Sequence, residues 1–439
     1  MTHSPPSPPH VAIACGGTGG HLFPGLAVAE QLVRRRCAVT LLVSPKEVDQ
    51  QGVKQAADME IITLPAVGLT RGRLFAFLRG FSQSYRAAKK AFAPRPPEAA
   101  LAMGGFTSAP PLLAASRLGA QAFLHESNTT PGRANRWLSW VADRAFVGFP
   151  SAVSRLHTGN AVVTGTPVRP QFQPTDSAAC RLALGLDAAR PVVLVMGGSQ
   201  GATGINDLVL QALPAFARLA PDWQWFHLSG PKDAEKVRQA YASMGLKAAV
   251  HPFFAGMETA LGAATLAVSR AGASSLAELA AMRLPAVLVP YPGATDNHQF
   301  HNARAFEQTG AARLLEQKSA TAEKLVRLLT DLAQNAEARR QVQAALAKWH
   351  APHAADDIAE TILAEVARAS FHHRSGESKQ AGPVSPQRRD ESGPAEPQSG
   401  RAKHMERVEL APAFERVRAH PGGNNLHALP TFRNLPPLS

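Results

Sequence analysis

Two glycine loops of one design lie 181 residues apart, each set between an apolar run and a helical pattern. The first reads Val11-Ala-Ile-Ala-Cys-Gly-Gly-Thr-Gly-Gly-His21, the second Val192-Val-Leu-Val-Met-Gly-Gly-Ser-Gln-Gly201. An unbroken apolar run of this length, bounded by a tight turn and a helix, is the pattern of a parallel strand buried on both faces. Glycine lets the main chain approach a phosphate, and the helix start beyond it offers free N–H groups and a positive dipole end. Two such units imply two similar α/β domains, each holding an anionic group, with a cleft that takes two phosphorylated substrates.

The rest of the chain supports that division. Strand-like runs at 11–15, 39–43, 61–64, 99–103, 122–124, 145–147 and 162–164 alternate with helical patterns such as 26–36 and 109–118. A second series has strands at 192–196, 225–228, 249–252, 266–269 and 286–290, and 357–369 reads as a last amphipathic helix. Such alternation predicts two doubly wound parallel sheets. The expected boundaries are a flexible segment 1–10, a first domain 11–165, a proline-rich linker 166–180, a second domain 181–350, a C-terminal helix 351–370, and a disordered tail 371–439. The tail is rich in Pro, Gly, Ser and Gln and lacks periodicity.

Three scattered cysteines have no metal-ligand spacing and fit a reducing compartment. The opening ten residues lack a basic start and a long apolar run, so no secretory leader is expected. No stretch reads as a spanning helix, because 99–116 is interrupted by Gly104-Gly105 and Pro110-Pro111. The net charge is +13, and the tail holds ten Lys/Arg against seven Asp/Glu, so most of the excess belongs to the two domains. A solvated basic surface, nucleic acid or an anionic membrane all fit that charge.

No acidic residue occurs between Glu60 and Glu98, while Arg71, Arg73, Arg79, Arg86, Lys89, Lys90 and Arg95 do. Leu74, Leu78, Phe81 and Tyr85 fall on one helical face, with Phe77 beside them. An apolar face flanked by cations suits an interfacial membrane helix. It also suits a core-facing helix with a basic outer side. Nucleic acid is disfavoured, since spaced stacking aromatics are missing.

The first loop, with Gly16 and Gly17, matches neither the dinucleotide fingerprint nor a P-loop. A third turn, Met103-Gly104-Gly105-Phe-Thr-Ser108, repeats the Gly-Gly theme, and His21 borders the first loop where it can act on an anion or as a base. Glu278 follows Ser274 and Ser275 after an apolar strand. It is either a partner for that helix start or a ligand for the vicinal hydroxyls of a ribose. Gln299 and Asn302 are one helical turn apart beyond the next strand and are both candidates to reach a sugar. Neither Asp-x-Asp nor a His/Cys cluster at ligand spacing is present, so diphosphate charge would fall to helix N-termini, hydroxyls and Arg/Lys.

In order, Gly16-Gly-Thr-Gly-Gly-His21-Leu-Phe-Pro24, Met103-Gly-Gly-Phe-Thr-Ser108, His125-Glu-Ser-Asn128, Thr164-Gly-Thr-Pro-Val-Arg169, Gly197-Gly-Ser-Gln-Gly-Ala202, Ser269-Arg-Ala-Gly-Ala273 with Glu278, and Asn297-His-Gln299 with Asn302 resemble the MurG family of bacterial peptidoglycan N-acetylglucosaminyltransferases. The resemblance runs from about 11 to 366. It implies the GT-B fold, two Rossmann-like domains facing a cleft. It implies transfer of N-acetylglucosamine from UDP-GlcNAc to undecaprenyl-diphosphate-N-acetylmuramoyl-pentapeptide (lipid I), with inversion and a new β-1,4 bond, and no metal cofactor.

The implied roles follow residue by residue. Ser199 touches the UDP phosphates, Glu278 holds the ribose, and Ala273, Ser274, Ser275, Leu276 and Ala277 line that turn. Phe254 presents its backbone to uracil. Gln299 contacts the sugar, with His298 and Asn302 near. Asn128 and Arg169 border the donor, and Thr18, Gly19 and Gly20 approach it from the other domain. His21 is the first candidate for general base and Glu126 the second. Gly16, Gly17, Gly104 and Gly105 face the acceptor diphosphate. The lipid acceptor favours peripheral docking on the cytoplasmic face of an anionic membrane through Leu74, Phe77, Leu78, Phe81, Arg79 and Arg86. Cell-wall or division proteins are further candidate partners, and nucleic acid is not. Ser127 stands where the family has Gln, Ala109 where it often has Gly, and Phe254 where a smaller aliphatic is common. The rivals are a diacylglycerol glycosyltransferase and a non-catalytic binding homologue.

Overall fold

The computed structural model describes residues 8–56, 58–65, 74–198 and 201–377, without the side chains of Gln55, Leu74 and 372–377. Ser199 and the segment from 378 onward lie outside the described residues. The first series comprises β1 (His10–Ala14), α1 (Gly19–Arg34), β2 (Ala38–Val43), α2 (Glu47–Gly52), β3 (Glu60–Thr63), α3 (Leu74–Phe92), β4 (Ala99–Ala102), α4 (Ala109–Arg117), β5 (Gln121–Glu126), α5 (Arg133–Leu138), β6 (Arg144–Val147) and β7 (Ala161–Val163). The second comprises α6 (Ser177–Ala183), β8 (Val192–Met196), α7 (Thr203–Leu219), β9 (Gln224–Leu228), α8 (Ala234–Ser243), β10 (Lys247–His251), α9 (Met257–Ala263), β11 (Leu266–Ser269), α10 (Ala273–Ala281), β12 (Ala286–Leu288), α11 (His298–Gln308), β13 (Arg313–Leu314), α12 (Ala322–Gln334), α13 (Ala336–Trp349) and α14 (Ala354–Glu377).

All pairings are parallel, in the orders β3-β2-β1-β4-β5-β6-β7 and β10-β9-β8-β11-β12-β13. β1 and β8 are fully buried, as their unbroken apolar runs require. Each is flanked by the strand that follows it and by the strand at which the order reverses. That reversal opens a crevice at the carboxyl end of each sheet, where ligands bind in open α/β folds.

Several boundaries differ from the sequence expectation. α1 begins at Gly19 rather than 26, with Pro24 inside it. Burial of Leu22 and Leu26 outweighs the hydrogen bond that proline forfeits so close to the helix start. The segment read as linker contains the start of α6, which Asp176 caps by accepting from Ala178 N and Ala179 N. The last helix runs to Glu377, past the expected end at 370. It also leaves the second domain: Ala355, Ile358, Ala359, Ile362 and Val366 share a core with Val11, Ile13 and Leu26. Arg35 Nη2 donates to Asp356 at 2.6 Å and Arg144 Nε to Glu365 at 2.7 Å, fastening the same face. The chain therefore enters the second domain after β7 and returns to the first at 350–353.

Candidate active site

The first loop packs so closely under β2 that a Cβ on Gly16 would lie 2.5 Å from Ser44 N. Gly17 takes φ +115, a conformation that L side chains avoid. Its N–H donates to buried Asp49 Oδ2 at 2.6 Å, and its carbonyl accepts from Lys46 Nζ at 2.7 Å. Thr107 Oγ1 donates to Gly16 O at 2.6 Å. Gly16 and Gly17 were expected to face the acceptor diphosphate; the N–H of Gly17 is taken by the Asp49 carboxylate. In the first turn of α1, Gly19 and Gly20 present N–H groups that no helix carbonyl takes.

His21 follows on that turn. Its ring lies against Gly104 and Gly105, which have φ +119 and +75. A Cβ on Gly104 would meet His21 Nε2 at 2.9 Å, so this contact needs glycine. Thr18 Oγ1 is 3.3 Å from Nδ1. Burial pulls the imidazole down to about 4, with His298 and Lys46 acting the same way and Asp49 opposing. It is therefore neutral near pH 7 and has a lone pair for a proton.

Glu126, the second base candidate, ends β5 and is held by its own loop. It is 2% exposed, and its oxygens accept from Asn128 N, Asn128 Nδ2, Gly132 N and Asn135 Nδ2 at 2.8–3.0 Å. Burial still pushes its carboxyl up, against the pull of those donors. These bonds fold the loop after β5 and engage both carboxylate oxygens, whereas His21 keeps a free lone pair. Asn128 and Asn302 form a clasp between the domains. Asn302 Nδ2 donates to Asn128 Oδ1 at 3.0 Å, and Asn302 Oδ1 accepts from Thr129 N and Oγ1. Asn302 is fully buried there, so it does not reach a sugar as the helical spacing suggested.

The second wall is α10. A Cβ on Gly20 would lie 3.4 Å from Ser274 Oγ, so the N-termini of α1 and α10 face each other. Ala273 and Leu276 bury their side chains in the core and can line the turn through main chain alone, whereas Ser274, Ser275 and Ala277 are half-buried. Glu278 is half-buried, and no hydrogen bond holds its carboxylate among the described residues. Burial pushes its carboxyl up to about 7, Arg169 opposing and Glu258 adding. Arg169 is held over the rings of Phe23 and Phe172 at 4.8 and 5.2 Å, and its buried Nε has no partner. Gln299 Oε1 accepts from Tyr291 N at 2.9 Å and Ala271 N at 3.3 Å. Two donors on the oxygen fix the amide so that Nε2 is its free, donating end. His298 Nδ1 donates to Thr295 O at 2.8 Å, which fixes the ring's orientation. The Phe254 ring packs on Phe226 and His251, so it offers a ligand its main chain.

Two groups had no motif to announce them, Asp49 on α2 and Lys46 at its start, which hold the first loop; Arg270 lies in a quoted motif but was given no role. Buried Arg270 donates to Val289 O and Pro290 O and shapes the turn that carries Gln299.

The basic helix α3 divides the expected docking set. Phe81 and Tyr85 pack against the core with buried Ala88 and Phe92, and Phe77 meets Phe106 at 5.5 Å. Phe81 is thus corrected from docking residue to core residue. Leu78 is 51% exposed, and Phe75, which lies outside the expected docking set, is 90% exposed. Arg79 and Arg86 are exposed on the same helix. Leu74 opens it, with its side chain outside the description. Among the described residues no helix is long and apolar enough to cross a membrane.

The glycosyltransferase family 28 N-terminal domain matches residues 11–147, and the family 28 C-terminal domain matches 192–362. The chain is 40% identical over 360 residues to the UDP-N-acetylglucosamine--N-acetylmuramyl-(pentapeptide) pyrophosphoryl-undecaprenol N-acetylglucosamine transferase of Xanthomonas oryzae pv. oryzae strain MAFF 311018, covering 81% of this chain and 79% of that protein. The same-named protein of Anaeromyxobacter sp. strain K is 33% identical, with 84% and 96% covered. The crystal structure of Acinetobacter baumannii MurG superposes with a TM-score of 0.64 at 29% identity, covering 81% of this chain and 99% of that one.

Proposed function

The chain belongs to glycosyltransferase family 28 and, within it, to the MurG group, and from that premise we propose how its cleft carries N-acetylglucosamine from UDP-GlcNAc to lipid I in peptidoglycan synthesis. The observation that carries the reading is the opposition of two unlike walls. One holds Glu278 and the Gln299 amide, which are free to bind a ribose and a sugar. The other holds neutral His21 on its glycine seat.

UDP-GlcNAc lies on the second domain. Glu278 accepts from the ribose hydroxyls, Gln299 Nε2 donates to the sugar, and the Phe254 main chain meets the uracil. The acceptor 4-hydroxyl lies on the His21 side. His21 takes its proton as the oxygen attacks the anomeric carbon. The bond from that carbon to the β-phosphate oxygen breaks, and its electron pair leaves with UDP. Attack opposite the leaving group inverts the centre and gives a β-1,4 bond. Charge developing on the diphosphate is met by the facing N-termini of α1 and α10. We read the chemistry as needing no metal, since these dipoles and Arg169 supply positive potential where the leaving group departs. The exposed pair Phe75 and Leu78, with Arg79 and Arg86, suits docking on an anionic cytoplasmic leaflet.

The test mixes purified protein with labelled UDP-GlcNAc and a short-chain lipid I analogue, without added metal. Disaccharide product is expected. No such product, with transfer to diacylglycerol instead, overturns the reading.

A further inference from the structure

We propose that Asp49 is a positioning residue for the transfer, a buried carboxylate that pins the His21 loop and supports the positive charge His21 acquires when it takes the acceptor's proton. This rests on the reading of His21 as proton acceptor. Asp49 is fully buried on α2 beneath the loop. Its Oδ2 gathers Gly17 N, Ser44 N and Ser44 Oγ, while its Oδ1 is buried without a partner. Burying a carboxylate is costly, and leaving one oxygen unsatisfied adds to the cost. An Asn could offer one oxygen to the same three donors, but its amide nitrogen would replace Oδ1 as a buried group without a partner among the described residues, so Asp differs from Asn there by its charge. The titratable neighbours that feel a charge at Asp49 are Cys15 and His21, and of the two only His21 takes up a proton in the proposed transfer.

The loop geometry supports this. Asp49 holds the N–H of Gly17 and Lys46 Nζ holds its carbonyl, so both peptide planes of the freest residue in the loop are fixed four residues before His21. The charged or titratable groups around His21 are Asp49, Lys46, His298 and His125. Of these, Asp49 alone favours the imidazolium; Gly104, Gly105 and Thr18 complete the ring's surroundings without charge.

The two clamps bear opposite charges, so they make opposite predictions. General-base transfer needs neutral His21, and its rate falls as pH drops through the His21 pKa. Asp49→Asn lowers that pKa. The acid limb of kcat should move to lower pH by about one unit, and the plateau should fall because a weaker base accepts the proton. Lys46→Met, at an exposed site that tolerates change, should move the limb to higher pH. Asp49→Glu, which keeps the charge, should leave the limb near its original position. UDP-GlcNAc affinity, measured by calorimetry, should be unchanged in all three.

A limb that stays put in both Asp49→Asn and Lys46→Met overturns the proposal. Loss of rate, donor affinity and melting temperature together in both Asp49→Asn and Asp49→Glu also overturns it and leaves only a structural role. His21→Ala is the control. Full activity in it overturns the His21 reading and this proposal with it. An inactive His21→Ala beside an unmoved limb sinks the Asp49 proposal alone.

Discussion

At the scale of single residues, the site works by denying space and hydrogen bonds as much as by supplying them. Gly104 has both a left-handed φ and a Cβ position 2.9 Å from His21 Nε2. Gly104→Ala should therefore push the imidazole off its seat. A misplacement of about 1 Å can cost on the order of a hundredfold in rate, so kcat should drop steeply while donor affinity, measured by calorimetry, holds. Equal losses in both would mean that His21 is not on the acceptor side. Glu278 gives a pH test with a definite sign. Its carboxyl sits near 7 because burial penalises the charge. Ribose hydroxyls donate to the ionised form, so UDP-GlcNAc should bind more weakly as pH falls below about 7. The free protein has the opposite linkage at this residue. A carboxyl raised above its unfolded value adds stability at low pH and loses it as pH rises through 7. In Glu278→Gln the donor affinity should be weaker and flat across that range; a slope that persists would place the titrating group elsewhere.

At the scale of elements, the sequence was readable where a segment's pattern is set by its own burial. β1, β4 and β8 are short apolar runs because both faces are covered, and nothing distant is needed to recognise them. Segments whose fate depends on a remote partner were not readable. The start of α1 is hidden by glycines and Pro24, and β13 is only two residues long and exists because β12 lies beside it. The role of Glu126 follows from four donors brought to it by a loop that no spacing predicts. On α3 the expected face divides: Phe81 and Tyr85 turn inward with Ala88 and Phe92, while Leu78 of that face and Phe75 beside it face out. The two sets should separate experimentally. Phe75→Ser with Leu78→Ser should abolish binding to anionic vesicles in a flotation assay and leave the melting temperature unchanged. Phe81→Ser should cost about 2–4 kcal/mol in denaturant unfolding. Undiminished vesicle binding by a folded Phe75→Ser/Leu78→Ser protein would remove α3 as the docking element.

At the scale of the molecule, the question is what holds two α/β domains at a spacing where α1 and α10 meet. Two kinds of polar bridge join the domains, beside the packing of Phe149 on Phe306 and Trp349 at 6.2 and 5.2 Å. At the rim, Arg133 and Arg136 lie 3.7 and 3.4 Å from Asp296, all of them substantially exposed. Exposed pairs of this length contribute about 0–1 kcal/mol and are screened by salt. Beneath them, the fully buried Asn302 joins Asn128, Thr129 and Ala271 O. Breaking it leaves buried Thr129 N and half-buried Asn128 Oδ1 without that partner, and a buried unsatisfied group costs about 1–3 kcal/mol. The buried clasp, not the rim, should therefore decide how closed the cleft is. The return of α14 to the first domain leaves the domains joined by two short crossings, near 164–176 and 350–353. Asn302→Ala should then open the molecule rather than unfold it. The radius of gyration from small-angle scattering should rise, kcat should fall, and UDP affinity should persist because Glu278, Gln299 and Phe254 all belong to the second domain. Asp296→Ala should change none of these at physiological salt. If Asp296→Ala opens the molecule as far as Asn302→Ala does, the rim pairs carry the closure and the ranking by burial is wrong.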